Sequence, residues 1–429
     1  MRRLRQASVI FARGAALIIA AALWGWLPAR TARGASKPAT WGQILIIGVE
    51  WTGHSAVEIF DPATSRFAPH PPSMHRGRTG ATATVIVVGR EAGKVLVAGG
   101  FNARYGPLAS TELYDPADDR FTRGPEMTTD RDYAPAIVVP SGSKAGSILF
   151  TNYRTADLYD PTTNHFTVGP TTIRDSFDQT ATVIPVGPNA GKILFAGGKE
   201  DPPVKFTQLY DPASNTFVRG PGMNTRREGH TATVLTAGPN AGRILLVGGW
   251  LERDFNGDWS DEDQWKPVPL ASTELYDPAT NTFASPSATP TLNVARGSHT
   301  ATVLTVGPNA GKLLIVGGQQ NERTTLSSTE LYDPFTNRFI LGPPLHEART
   351  QHVAMVIPSG PEAGKLLIAG GVVTDPSNPE VCGACKFDPP LASTELYDPA
   401  TNSFAPGPRM HGAPGDVIAV QLPPAQPHR

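Results

Sequence analysis

Residues 299–339 read HTATVLTVGPNAGKLLIVGGQQNERTTLSSTELYDPFTNRF. Two short runs, His299 to Leu304 and Leu313 to Val316, are rich in Val, Ile, Leu and Thr, as strands buried on both faces are. Between them Gly307 to Lys312 (GPNAGK) supplies hairpin-turn residues. Gly317 and Gly318 end the second run, where glycine permits positive φ and a close approach of neighbouring backbone. Ser328 to Pro334 alternates and reads as a third strand. At Asp333-Pro334 the aspartate accepts backbone N–H groups and the proline presets φ, which together specify a type I turn. Phe339 then begins a short fourth strand.

This unit occurs seven times, marked by Phe60-Asp61-Pro62, Tyr114-Asp115-Pro116, Tyr159-Asp160-Pro161, Tyr210-Asp211-Pro212, Tyr276-Asp277-Pro278, Tyr332-Asp333-Pro334 and Tyr397-Asp398-Pro399. Successive Asp-Pro pairs lie 45 to 66 residues apart, the spacing of propeller blades. The expected fold is all-β: a single seven-bladed β-propeller with four antiparallel strands per blade, spanning 35–424. The first unit opens on a second strand, from Gln43 to Ile47, and a spare strand, Val417 to Leu422, follows the seventh. That spare strand is expected to join blade one and close the ring, which leaves no open edge.

Double glycine after strand two, with aromatics at fixed later positions, resembles the kelch repeat. The resemblance covers about residues 40 to 423 and recurs in all seven units, and the chain looks like a bacterial kelch-repeat propeller protein. Two units depart from the pattern, with Gly48-Val49 and Thr151-Asn152 where the glycines belong. Phenylalanine replaces the usual fourth-strand tryptophan. The galactose oxidase-like copper enzymes share this kind of propeller, but they need a cysteine crosslinked to a tyrosine. Here both cysteines, Cys382 and Cys385, lie in one C-x-x-C loop. The resemblance therefore implies the superfamily without its copper site.

The chain carries 37 Lys+Arg against 38 Asp+Glu, so no global charge favours nucleic acid. Arg2, Arg3 and Arg5 precede the apolar stretch from Gly14 to Leu27, and small residues follow at 32–34. This reads as a signal peptide over 1–34, with no integral membrane domain after cleavage. The expected location is secreted or periplasmic. Residues 425–429 read as a short polar tail.

Turns along an antiparallel blade alternate between two faces. The hairpin between strands one and two and the turn between three and four keep their lengths. The connection between strands two and three varies, with its longest insertions at 250–273 and 372–394. Loops on a rigid scaffold commonly carry function, so the variable face is the expected binding surface. The linkers on that face repeat Met or Leu, three residues, then Arg, giving Arg78, Arg131, Arg227, Arg296 and Arg349. Phe177 and Pro414 are placed at the matching positions of the other two blades. In ligand-binding kelch propellers, arginines near this position contact acidic peptides. The resemblance thus implies an anionic partner, met by guanidinium groups. The competing reading is that each arginine locks blade to blade.

Trp250 and Trp259, in the longest insertion, are candidate ligand contacts through stacking. No cofactor is expected, although Asp254, Asn256 and Asp258 place oxygens at alternating positions, which suits calcium; the competing reading is a solvated acidic loop. Cys382 and Cys385 read as a local disulfide. No nucleophile elbow, phosphate loop or zinc-protease helix occurs. The expected function is a secreted, non-catalytic module that binds an extracytoplasmic protein or polysaccharide. The alternative is a carbohydrate-active enzyme with loop-borne acids in the propeller funnel.

Overall fold

The computed structural model describes residues 42–49, 54–152, 154–173, 176–199, 205–251, 268–321, 323–374 and 390–423. Seven four-stranded antiparallel sheets make up the ring. Blade six shows the plan: Thr300–Val303, Leu313–Val316, Thr329–Asp333 and Arg338–Leu341, each strand beside the next. Blade one consists of Gly415–Gln421, Ile44–Val49, Ser55–Asp61 and Arg66–Phe67. Its innermost strand comes from the far end of the chain, with Leu45 opposite Val420 and Ile47 opposite Ile418. The predicted closure is what the molecule uses.

The core is divided among the blades. Seven apolar clusters fill the seven gaps between neighbouring sheets. In one of them Leu245 and Val247 of blade five meet Ala301, Ile315 and Tyr332 of blade six. Each second strand is buried along its whole apolar run, such as Val95–Ala98 or Leu366–Ala369, because both of its faces meet a neighbouring blade.

The Asp-Pro turn forms as its residues require. The aspartate side chain accepts the backbone N–H two residues on in every blade, as Asp333 does from Phe335 at 2.9 Å. The fifth turn residue has a left-handed backbone in all seven, and is asparagine in five of them. In six blades the buried tyrosine donates its hydroxyl to that residue, as Tyr332 does to Asn337 Oδ1 at 2.9 Å. Blade one has Phe60 and Ser65 at these two positions and lacks the bond.

The constant face keeps its length for a mechanical reason. The hairpin lysine or arginine pairs with the turn aspartate of its own blade, as Lys312 does with Asp333. The same hairpin leans on the next blade's turn. A Cβ on Gly307 would lie 2.4 Å from the carbonyl oxygen of Pro399, and Gly360 meets Pro62 across the closure in the same way. An inserted residue would break both contacts.

Candidate functional site

The linker into each blade crosses the variable face before the chain turns down the innermost strand. Met74, Met127, Met223, Leu292, Leu345 and Met410 plug the gaps between blades there. Four residues after the plug stand Arg78, Arg131, Arg227, Arg296 and Arg349. All five are 2% exposed or less.

Arg296 shows what holds them. Its Nη1 donates to the carbonyls of Gly317 (2.7 Å) and Ser328 (2.9 Å), and its Nη2 donates to Ser328 Oγ (2.9 Å) and Glu330 Oε1 (3.2 Å). The same buried carboxylate accepts the backbone N–H groups of Asn293 and Val294. Glu112, Glu274 and Glu395 play that part for Arg78, Arg227 and Arg349, and Asp157 does so for Arg131. Burial pulls the Arg296 guanidinium below its ordinary range, and Glu330 acts to hold it up. Meanwhile the Arg296 backbone carbonyl accepts the N–H of Gly249 in the preceding blade (2.8 Å). A Cβ on Gly248 would lie 2.5 Å from that oxygen, which is why glycine is needed there. Each of the five arginines therefore binds its own blade through its side chain, and Arg131, Arg227, Arg296 and Arg349 also accept a glycine N–H of the previous blade at the backbone carbonyl. The guanidinium groups are spent inside the chain and present no surface to an anion.

The blades without arginine show the same logic. By register the matching residue in blade four is Ser176; Phe177, expected there, sits one step further on and bridges Lys199. Ser176 Oγ donates to the Gly197 carbonyl (3.3 Å), and the acid of strand three is replaced by Gln208, which accepts the Ile173 N–H (2.7 Å). In blade one Pro414 takes the arginine position, and Glu58 is met by His411 Nδ1 (3.2 Å) and the Gly412 N–H (2.7 Å). Blade three lacks the double glycine, and Asn152 replaces the second one. Its Oδ1 accepts from Arg131 Nη1 (2.7 Å), and its Nδ2 donates to the Asp132 carbonyl (2.9 Å).

His230, His299 and His352 are buried, and each Nε2 meets a threonine hydroxyl of the preceding blade, at 2.9 to 3.1 Å. Burial depresses all three, with a neighbouring arginine adding to it; His299 is pushed down to about 3. The unfolded chain therefore takes up these protons first, and stability is lost as pH falls from about 6.5 toward 3. His299 alone costs about 1.4 kcal/mol for each pH unit in that window. His299→Gln, the residue that blade four carries as Gln179, is expected to flatten the acid limb of a urea-midpoint-versus-pH curve. An unchanged slope would contradict this assignment.

At the mouth of the channel, one residue at or just before the start of each innermost strand has a left-handed backbone. These are Gly80, Tyr133, Asp178, Gly229, Ser298, Gln351 and Asp416, with φ between 47° and 59°. They form a collar: the Ser298 N–H donates to the Gly229 carbonyl (2.9 Å), the Gln351 N–H to Ser298 (3.3 Å), and the Tyr133 N–H to Gly80 (2.8 Å). Asp416 Oδ2 accepts from the Gly80 N–H (2.8 Å) and the Tyr133 hydroxyl (3.3 Å). The sequence reading missed this collar. Its signal was the residue two after each arginine, which is glycine or polar in most units.

Above the collar, three of the variable connections form two-stranded ribbons: Phe101–Asn102 with Gly106–Pro107, Trp250–Leu251 with Val268–Pro269, and Gln319–Asn321 with Thr324–Thr325. Trp250 is buried against Gly297, and its Nε1 reaches Ser298 Oγ at 3.4 Å. It therefore braces the collar and offers no open ring face, contrary to its expected stacking role. Among the described residues of this face Tyr105 is the most open aromatic, 54% exposed, with the Arg76 guanidinium 4.7 Å from its ring centroid. Trp259, the calcium candidates Asp254, Asn256 and Asp258, the pair Cys382 and Cys385, and the signal segment lie outside the described residues. No group of three or more His, Cys, Asp or Glu among the described residues is arranged to hold a metal ion.

Residues 92–128 match the kelch motif family. No curated protein matches the chain. Among solved structures, a fungal alcohol oxidase of the AA5 family, in complex with copper, is similar at 15% identity and a TM-score of 0.55, over 90% of each chain. YjhT is similar at 12% identity and a TM-score of 0.49, over 72% of this chain and 99% of that one. These likenesses are of fold. Seven four-stranded blades closed by the C-terminal strand make the chain a seven-bladed β-propeller, with a match to the kelch motif in blade two.

Proposed function

We propose that the protein is a secreted, non-catalytic binding module that recognises a protein or polysaccharide on the variable-loop face around the channel mouth. The carrying observation is the asymmetry between the faces. Hairpins and turns on the constant face are tied blade to blade, whereas the other face bears three ribbons, an exposed Tyr105 and a polar collar. Rigid support beneath adaptable loops is how binding surfaces are commonly built. An anionic partner is not favoured, because that expectation depended on arginines that this fold encloses.

One observation favours the enzymatic alternative. Burial and neighbouring carboxylates hold Asp178 at the mouth well above the usual carboxylate range, as a general acid requires. Turnover of any glycan would decide for that reading.

A panel of immobilised peptides and polysaccharides tests the proposal. Tyr105→Ala is expected to weaken capture about tenfold, on the scale of an aromatic contact residue. Phe335→Ala, on the constant face, is expected to leave capture unchanged. The reverse pattern would sink the proposal.

A further inference from the structure

Blade one differs from its counterparts by one charge. Glu112, Glu274, Glu330 and Glu395 each hold a guanidinium. Their equivalent in blade one is Glu58, because Ile46 faces Glu58 as Ile315 faces Glu330. Glu58 is 1% exposed, yet Pro414 stands where its arginine would be. Blade four also lacks the arginine, but there Gln208 removes the acid as well.

His411 does not make up the difference. Its counterparts His75 and His346 meet Glu112 and Glu395 in the same way, and those carboxylates hold Arg78 and Arg349 besides. In blade six, Glu330 Oε1 accepts from both the Val294 N–H and Arg296 Nη2, whereas Glu58 Oε1 accepts from the Gly412 N–H. Among the described residues no lysine or arginine pairs with Glu58, so its carboxylate is one cation short of the others.

A cleft opens at this carboxylate. It has a volume of about 270 Å³, is open to solvent, and is lined by Ala56 and Glu58, by Pro72 and Ser73 of the next linker, and by His411 and Gly412. Ala56 and Glu58 correspond to Ser328 and Glu330, which hold Arg296 in blade six. The cleft therefore adjoins the place that an internal arginine fills elsewhere. Its outer wall is less tightly tied because of Val57. In five blades a threonine at that position donates to a linker proline, as Thr329 does to Pro343 at 2.6 Å. Valine has no hydroxyl with which to do so.

We propose that this cleft binds an arginine side chain presented by a partner protein. This deepens the binding-module reading above and rests on it, since the linkers that line the cleft cross the variable face. A buried carboxylate is normally paired, and the charge missing here is the one that the fold supplies from within in other blades. Guanidinium is favoured over ammonium because four equivalent glutamates already hold its planar fork. The volume falls below the ~300–1,000 Å³ of small-molecule pockets, which suits one inserted side chain and not an oligosaccharide. A metal ion needs several converging oxygens, and no group of three candidate ligands occurs among the described residues.

The test is saturation-transfer NMR on the full chain with two end-blocked peptides, Gly-Arg-Gly and Gly-citrulline-Gly. Citrulline keeps the shape of arginine without its charge. Transfer to the arginine methylenes is expected, diminished by added salt, with little to citrulline. Pro414→Arg supplies the internal guanidinium, so it should abolish the transfer and melt no lower than the parent. Glu58→Gln should abolish it too, and Phe335→Ala, on the constant face, should leave it unchanged. If Glu58→Gln fails to fold, the citrulline comparison on the parent chain decides without a variant. No transfer to Gly-Arg-Gly, equal transfer to both peptides, or undiminished transfer in a folded Pro414→Arg would overturn the proposal. That failure, alongside panel ligands lost in Tyr105→Ala, would leave the binding-module reading intact. Binding of Gly-Arg-Gly beside turnover of a glycan would keep the arginine site and remove the non-catalytic reading.

Discussion

Deleting residues 412–429 is expected to abolish the cooperative melting transition or lower its midpoint by tens of degrees. The strand Gly415–Gln421 is the inner member of blade one and pairs with Ile44–Val49 over most of its length. Its removal strips Val417 from the gap between blades seven and one, and Leu422, Ile418 and Val420 from the gap between blades one and two. Each buried aliphatic side chain contributes about 1.5–3 kcal/mol. Val417 and Leu422 are fully buried and Ile418 and Val420 partly so, and together they amount to a large share of the ~5–15 kcal/mol that holds a typical domain. The deletion also exposes Ile44–Val49 as an open edge and removes Asp416 from the collar. Circular dichroism melts of the intact and shortened chains make the comparison. A shortened chain that melts like the intact one would contradict the closure.

The second large effect concerns the arginines. Arg296→Met leaves Glu330 buried with its charge unmatched, and breaking one side of a buried pair costs about 3–5 kcal/mol. Arg227→Met with Arg296→Met, in non-adjacent contacts to Glu274 and Glu330, should roughly add. Together they approach the margin of stability, so the double variant is expected to melt far below the parent or fail to fold. The compensated pair Arg296→Met with Glu330→Met should recover most of the single loss, because an apolar pair of similar volume is often neutral or stabilising. Chemical denaturation of the three variants separates these outcomes. A small effect of Arg296→Met would show that the guanidinium is dispensable to the fold and reopen its reading as a ligand contact.

The ring was legible in the sequence because each turn states its own chemistry. Asp-Pro sets the turn, a left-handed asparagine completes it, and the spare C-terminal strand leaves one closure to choose. The direction of a side chain was not legible. Periodicity placed the arginines at the mouth, but only the fold shows them turned inward to strand three. A signal was present in the alternation of strand three itself. The glutamate of Thr-Glu-Leu-Tyr-Asp becomes Gln208 in blade four, where Ser176 replaces the arginine. Phe177 was placed one step off because Thr172 stands where other linkers carry methionine or leucine, which removed the marker used for register. Trp250 was read with the insertion that follows it, yet it is the first residue past the double glycine, where the backbone still pairs with Glu228. The acids of the collar, Asp178 and Asp416, come from blades four and one, and nothing in the linear order brings them together.

The most direct test of the central claim, binding at the mouth without chemistry, is one titration read in two ways. Peptides and polysaccharides of both charges are added to the intact protein while tryptophan emission is followed, since Trp250 braces the collar through Ser298. The same mixtures are then assayed for cleaved or oxidised glycan. A saturable emission change is expected with at least one ligand, weakened about tenfold by Tyr105→Ala, with every glycan recovered intact. A glycan converted in proportion to the amount of protein would contradict it.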